Sequence, residues 1–211
     1  MRYLFIGAHA DDIEIGCGGT LLKAYKKNQI FNYIATNSEY SDENGKLVRS
    51  KLEAKKEIKR CYLGKKIQNI LGTSKVFDLN NNEKFRTELI RLKKKIKPAV
   101  VFLPWIHDPH PDHKNLAEAA LTVFKDASNI LMYRSNWYYS INNFNKNFYS
   151  DITTNYKYKI KMVLNFKSEV KRTKSIWIKK IENECVANGN MINKNYAEAF
   201  EIVKLSSGFR L

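Results

Sequence analysis

At 211 residues, with 44% hydrophobic and 12% aromatic content, the chain can bury one substantial core and reads as one domain, 1–211, rather than two. No apolar run approaches the roughly 20 residues that cross a bilayer, and the opening MRYLFIGAHADD meets acidic residues too early for a signal peptide, so the expected compartment is the cytoplasm. The net charge of +16 favours anionic partners, but the lysines are spread over nearly every predicted helix and no nucleic-acid motif accompanies them: no nucleic-acid partner is expected, while peripheral membrane contact and homo-oligomer formation stay open.

Short apolar runs alternate with longer lysine-rich amphipathic segments. Tyr3 to Ala8 reads as a buried first strand, and Gly16-Cys17-Gly18-Gly19-Thr20 as the opening of a helix that runs through Leu21, Leu22, Ala24 and Tyr25. Ile30 to Thr36 reads as a strand, and Asn37 to Lys46 as a polar loop turned by Asn44-Gly45. A helix is predicted from Leu47 to Leu63, closed by Gly64. Ile67 to Leu71 and Val76 to Leu79 read as short strands, and Glu83 to Lys97 as a helix stopped by Pro98. Ala99 to Leu103 is the next buried strand, Lys114 to Phe124 a helix, and Ile130 to Arg134 a further strand. Residues 1–136 therefore read as β-α units of a Rossmann-like α/β fold, a mostly parallel sheet with helices on both faces. Residues 137–211 read as an extension of the same domain: Tyr138 to Asn155 is aromatic and poorly periodic, helical periodicity returns from Tyr158 through Val186, and Ala197 to Leu205 fits helix or strand. Cys17, Cys61 and Cys185, odd in number and widely spaced, read as buried thiols.

Two short motifs hold three of the four histidines: His9-Ala10-Asp11-Asp12 after the first strand and His110-Pro111-Asp112-His113 after the strand at Ala99 to Leu103. In open α/β sheets the strand ends line the binding crevice, so the two motifs are candidates for one site. In a helical turn His9 and Asp12 project to the same side, which suits two ligands of one metal, and leaves Asp11 free to accept a proton from metal-activated water. His110 and His113 share the same spacing; one completes a three-ligand set and the other is left for catalysis. Asp112 is placed to take an imidazole N–H, and His107 and Asp108 add polar groups to that loop.

The run from His9 through Leu21, HADDIEIGCGGTL, resembles the opening signature of the PIG-L/LmbE-like metal-dependent deacetylases, and His110 to His113 resembles their second signature. Arg49 and Glu53 ahead of Leu63-Gly64 are similar to the family's Arg-and-Glu helix, and Tyr196-Ala197-Glu198-Ala199-Phe200 to its closing Glu-x-Phe segment. The resemblance implies hydrolysis of an N-acyl group, typically the acetamide of an N-acetylglucosamine-type unit. It implies that His9, Asp12 and His113 bind zinc, that Asp11 is the general base, and that His110 stabilises the oxyanion or protonates the leaving amine. It further implies that Asp112 orients a neighbouring histidine and that Arg49 reaches the substrate. Ala10 departs from the proline usual after the first histidine, and Asp108 stands where members acting on thiol-sugar precursors can carry tyrosine.

Two histidines and a carboxylate also suit iron(II); zinc is favoured because hydrolysis needs a Lewis acid and no redox step. The expected partner is a small N-acetylated sugar or its conjugate, anionic if the basic field faces the crevice. An amidase acting on a non-sugar N-acyl compound is the alternative, and a basic nucleic-acid-binding protein ranks below it. Substrate choice is expected to lie in the loops Asn37 to Lys46 and Tyr138 to Asn155.

Overall fold

Leu4 and Ile6 of β1 (Arg2–Gly7) pack on one face of a sheet and Tyr3 and Phe5 on the other, all four fully buried. A strand covered on both faces explains why its sequence is a continuous apolar run rather than an alternating one. The computed structural model describes residues 1–209 and 211. On one face, Tyr3 and Phe5 meet α1 (Asp12–Tyr25), α2 (Lys51–Cys61) and α5 (Tyr156–Val163). On the other, Leu4 and Ile6 meet α3 (Glu83–Ile96) and α4 (Pro111–Val123), whose Phe85, Leu89, Leu92 and Ile96 form an i, i+4, i+7, i+11 stripe that leaves the lysines facing water.

The main sheet also holds β2 (Gln29–Thr36), β5 (Ile67–Ser74), β6 (Val100–Pro104), β7 (Asn129–Tyr133), β8 (Phe148–Asp151) and β9 (Ala197–Lys204), in the order β5-β2-β1-β6-β7-β9-β8. The first five strands in that order are parallel, and the last two pair antiparallel. The chain builds outward from β1 through β2 to β5, then crosses back to lay β6 on the other side of β1. The ends of β1 and β6 therefore flank the topological switch point, where doubly wound sheets open their crevice. Both histidine motifs follow these two strands.

Several elements depart from the expectations. Helix α1 starts at Asp12 rather than Gly16, and is broken at Cys17, whose φ of −146° is not helical. Leu47–Arg49 is not the start of a helix but β4, paired with β3 (Tyr40–Ser41) in a small hairpin inside the expected loop. The helix begins only after Ser50, whose hydroxyl accepts the N–H of Glu53 in the S-x-x-E arrangement of a capping box. Val76 to Leu79 is no strand: Phe77 has φ +70°, and the N–H groups of Phe77 and Leu79 point at the Asp112 carboxylate instead of a neighbouring strand. The periodic stretch from Tyr158 to Val186 divides into α5, α6 (Lys167–Arg172) and α7 (Ile176–Asn190), and Ala197 to Leu205 resolves as strand β9. All three cysteines are buried free thiols, as expected. Among the described residues no helix is long and apolar enough to cross a membrane.

Candidate metal centre and active site

Four strand ends supply the site. His9 follows β1 and Asp12 is the first residue of α1. After β6 comes His110, which caps the N-terminus of α4: its Nδ1 accepts the Asp112 N–H at 3.2 Å, and His113 lies on that helix's first turn. Ser135 and Asn136 follow β7, and Ser38 follows β2.

Three donor atoms converge. His113 Nε2 lies 3.3 Å from Asp12 Oδ2 and 3.2 Å from His9 Nδ1, and the His9 Nδ1 to Asp12 Oδ2 distance is 3.7 Å. The opposite nitrogen of each ring is held by a carboxylate, His9 Nε2 by Asp112 Oδ2 at 2.9 Å and His113 Nδ1 by Asp108 Oδ2 at 3.0 Å. Asp112 also accepts the N–H groups of Phe77 and Leu79, and Asp108 accepts the His110 N–H and both contacts of the Asn136 amide. Burial opposes their charge, but these histidine and N–H donors outweigh it and hold both acids below the usual carboxylate range. Ionised carboxylates only accept, so each ring places its proton toward its carboxylate and turns a lone pair toward the other ring and Asp12.

Two lone pairs and a buried carboxylate oxygen facing one point call for a cation. Without a metal ion the geometry draws a proton: burial disfavours charge on His113, yet Asp12 and Asp108 raise its pKa well above the usual histidine value. Asp12 is fixed for this role, with Oδ2 accepting the N–H groups of Ala8 (2.9 Å) and His9 (2.8 Å) and Oδ1 the Ser135 hydroxyl (2.9 Å). One carboxylate and two imidazoles, each ring braced by a second carboxylate, fit a three-ligand catalytic metal site with an open position. His9, His110 and His113 also present ligand atoms within 4.8 Å of one another. His110 differs in that its Nδ1 is occupied by a backbone N–H; burial and the two neighbouring histidines press its pKa down to about 4. It is a neutral ring with its proton on Nε2, so it donates to the cavity without needing to be an imidazolium.

Asp11 sits beside this centre with φ +114°, a left-handed backbone that non-glycine residues rarely adopt. Burial pushes its carboxyl well above the usual range against the pull of Arg49, whose Nη1 lies 3.4 Å from Oδ2. Arg49 is itself buried, bonded to the carbonyls of Ser38 (2.9 Å) and Ala10 (3.0 Å). The expected substrate-reaching arginine therefore lies on the cavity wall with its guanidinium turned to Asp11. Asp112 touches His9 and the turn at Phe77. His107 is exposed and lies outside the cluster.

A cavity of about 260 Å³ opens over these groups, walled by Tyr40, Phe77, Tyr138, Trp177 and Glu169 among others. Glu169 is buried, accepts from the Tyr40 hydroxyl and from Arg172 Nε and Nη2 (2.9 and 2.6 Å), and lies 3.7 Å from Arg49. No motif in the sequence marks Glu169 or Tyr40, and Asp108 there is only a polar residue of the second loop. Ser135 and Asn136 were detectable, because they follow a predicted parallel strand at the edge that carries both motifs.

The family described as PIG-L: GlcNAc-PI de-N-acetylase matches residues 4–124. Diacetylchitobiose deacetylase of Thermococcus kodakarensis is 26% identical over 125 residues, a match that covers 54% of this chain and only 45% of that protein. The structure superposes on N,N'-diacetylchitobiose deacetylase from Pyrococcus horikoshii with a TM-score of 0.82 at 20% identity, covering 96% of this chain and 83% of the other. It also superposes on a conserved protein from Thermus thermophilus with a TM-score of 0.79 at 24% identity, covering 99% of each chain. At these identities the two superpositions speak for the fold.

Proposed function

The chain belongs to the PIG-L family, and from that premise we propose a metal-dependent hydrolase that removes the N-acetyl group from an N-acetylated amino sugar or from its glycoside, nucleotide or lipid conjugate. The observation that carries this reading is the convergence of His9 Nδ1, Asp12 Oδ2 and His113 Nε2 on one point beside a buried Asp11. The deacetylase activity in the name of the curated relative supports the acetamide as the bond cut.

A divalent cation held by His9, Asp12 and His113 supplies, when bound, Lewis-acid activation of water and of the amide carbonyl. Zinc suits a hydrolysis without redox change, and iron(II) suits the same donors. Asp11 takes the proton of the attacking water and returns it to the departing nitrogen, while Arg49 fixes the carboxylate that carries it. The neutral His110 presents its Nε2–H to the former carbonyl oxygen as negative charge develops there. The new C–O bond forms, the C–N bond breaks, and acetate and a free amine leave.

Metal analysis of the purified protein, followed by an acetate-release screen over free, nucleotide-linked and lipid-linked N-acetylated amino sugars, tests the reading. Asp11→Asn is expected to keep the metal and lose at least about 100-fold in kcat, and His113→Ala to lose both metal and turnover. Full activity in Asp11→Asn would overturn the mechanism. Acetate release from non-sugar amides alone would move the chain to the amidase reading.

A further inference from the structure

We propose that the mouth of the cavity docks on an anionic lipid surface, with the loop Tyr138–Ile141 and the lysine-rich α6–α7 segment as the contact. Large apolar side chains on the cavity wall and just beyond it are exposed: the wall residue Phe77 is 66% exposed, and Tyr139 and Ile141, which follow the wall residue Tyr138, are 92% and 94% exposed. The loop is held in that posture, because Arg134 Nη2 donates to the Tyr138 carbonyl and the Ser140 hydroxyl to the His107 carbonyl, both at 3.0 Å. Phe77 and Tyr138 both stack on His110, and Trp137 packs 6.2 Å from Trp177. The exposed loop, the Phe77 turn and the start of α7 therefore ring one opening.

The α6–α7 segment, which supplies Arg172 and Lys180 to the cavity wall, carries a one-sided charge. Lys167, Lys171, Arg172, Lys174, Lys179 and Lys180 fall within fourteen residues of sequence whose one acid, Glu169, is buried and already bound by Arg172 and Tyr40. The other nearby acids are Asp78 beside Phe77, the half-buried Glu182 and Glu184, which pair with Lys179 (3.7 Å) and Lys146 (3.2 Å), and Glu39, Asp42 and Glu43 of the hairpin that carries Tyr40. Trp, Tyr and Ile side chains rimmed by lysine make a surface that seats at the headgroup layer, with apolar tips below it and ammonium groups against the phosphates. A second copy is the poorer occupant, because a two-fold contact through this face would set the same cations against each other. An oligonucleotide would satisfy the lysines and leave Ile141 uncovered. Docking of this kind does not depend on which amide is cut.

Co-sedimentation of the full chain with lipid vesicles tests it without any assay of activity. Binding is expected to vesicles in which about a third of the phosphatidylcholine is replaced by phosphatidylglycerol, and to fall about tenfold or more on neutral vesicles or in high salt. Tyr139→Ser/Ile141→Ser and Lys171→Glu/Lys174→Glu, all outside the cavity lining, are each expected to weaken that binding about tenfold. Both variants should keep the wild-type melting temperature. Failure to bind anionic vesicles, equal binding to neutral ones, or wild-type binding by both variants would overturn the proposal. So would self-association that Tyr139→Ser/Ile141→Ser abolishes, which assigns the surface to a second copy, or tighter binding to an oligonucleotide through Lys171 and Lys174.

Discussion

Asp112 and Asp108 decide where two protons sit, and so whether His9 and His113 can share a cation. Each acid lies about one hydrogen bond from the ring nitrogen that faces away from the centre, and each is ionised because other N–H groups also point at it. Replacing either by asparagine keeps the shape and one acceptor oxygen but removes the charge that raises the ring's basicity. Asp108→Asn and Asp112→Asn are each expected to weaken metal affinity about 10- to 100-fold with all three ligands intact. A competitive chelator titration measures it, and unchanged affinity in both variants would remove the second carboxylates from the account. That Asp112 would meet an imidazole was legible from its place between two histidines. Which histidine it serves was not, because its partner, His9, is 103 positions away and the contact exists only once β1 and β6 lie side by side.

Helix α1 carries Asp12 into the centre, and it is a helix with a break in it. Beyond Cys17 the N–H groups of Gly19 and Thr20 bond to the two oxygens of Glu198 at 2.9 and 2.7 Å. Lys159 Nζ donates to Glu198 and to the Ile15 carbonyl on the other side of the break, each at 2.5 Å. The buried Lys159 and Glu198 thus splint the helix, which gives the closing Glu-x-Phe segment a physical role far from the chemistry. Glu198→Ala leaves Lys159 buried without its counter-charge and is expected to cost about 3–5 kcal/mol in urea denaturation; Glu198→Gln, which retains one acceptor, should cost less. The pair also carries a pH dependence. Burial disfavours charge on Lys159, but Glu198 overrides it and lifts the pKa from its ordinary 10.5 to about 12. A raised amine pKa stabilises the fold fully below pH 10.5, and that stability is lost as the pH climbs through about 12. Glu198→Gln should show a smaller loss than the wild type over that window. Gly16 marks another constraint on α1, since a Cβ there would lie 2.1 Å from the Tyr133 ring. The glycines and both histidine motifs were visible in the sequence, as were most strands, because buried parallel strands are uninterrupted apolar runs. The break at Cys17 was not, since the groups that splint it lie far along the chain. Nor was the β3–β4 hairpin, whose strands of two and three residues are too short to show an alternation, nor the boundary between α6 and α7, which turns on left-handed backbone at Lys174 and Ser175.

At the scale of the whole molecule, the proposed metal seat joins parts of the sheet that the chain order keeps apart. His9 and Asp12 belong to the β1 edge, His113 to the β6 edge, and Ser135, which holds Asp12, to the β7 edge. A cation bound there pulls on three segments at once and exists as a complete site only in the folded chain. Binding to the native state alone stabilises it by about 2.7 kcal/mol when free metal is 100 times its dissociation constant. For a chain of this length each kcal/mol moves the melting temperature by about 2–4 °C. Removing the metal with a chelator is therefore expected to lower the melting temperature by several degrees, and restoring zinc to recover it. His113→Ala should melt at one temperature with or without zinc, because the seat is broken. The metal-free wild type should retain part of the stabilisation, since a proton on His113 answers the same two carboxylates that flank the seat. If zinc raised the melting temperature of His113→Ala as much as that of the wild type, the ion would be binding elsewhere and the assignment of His9, Asp12 and His113 would fall.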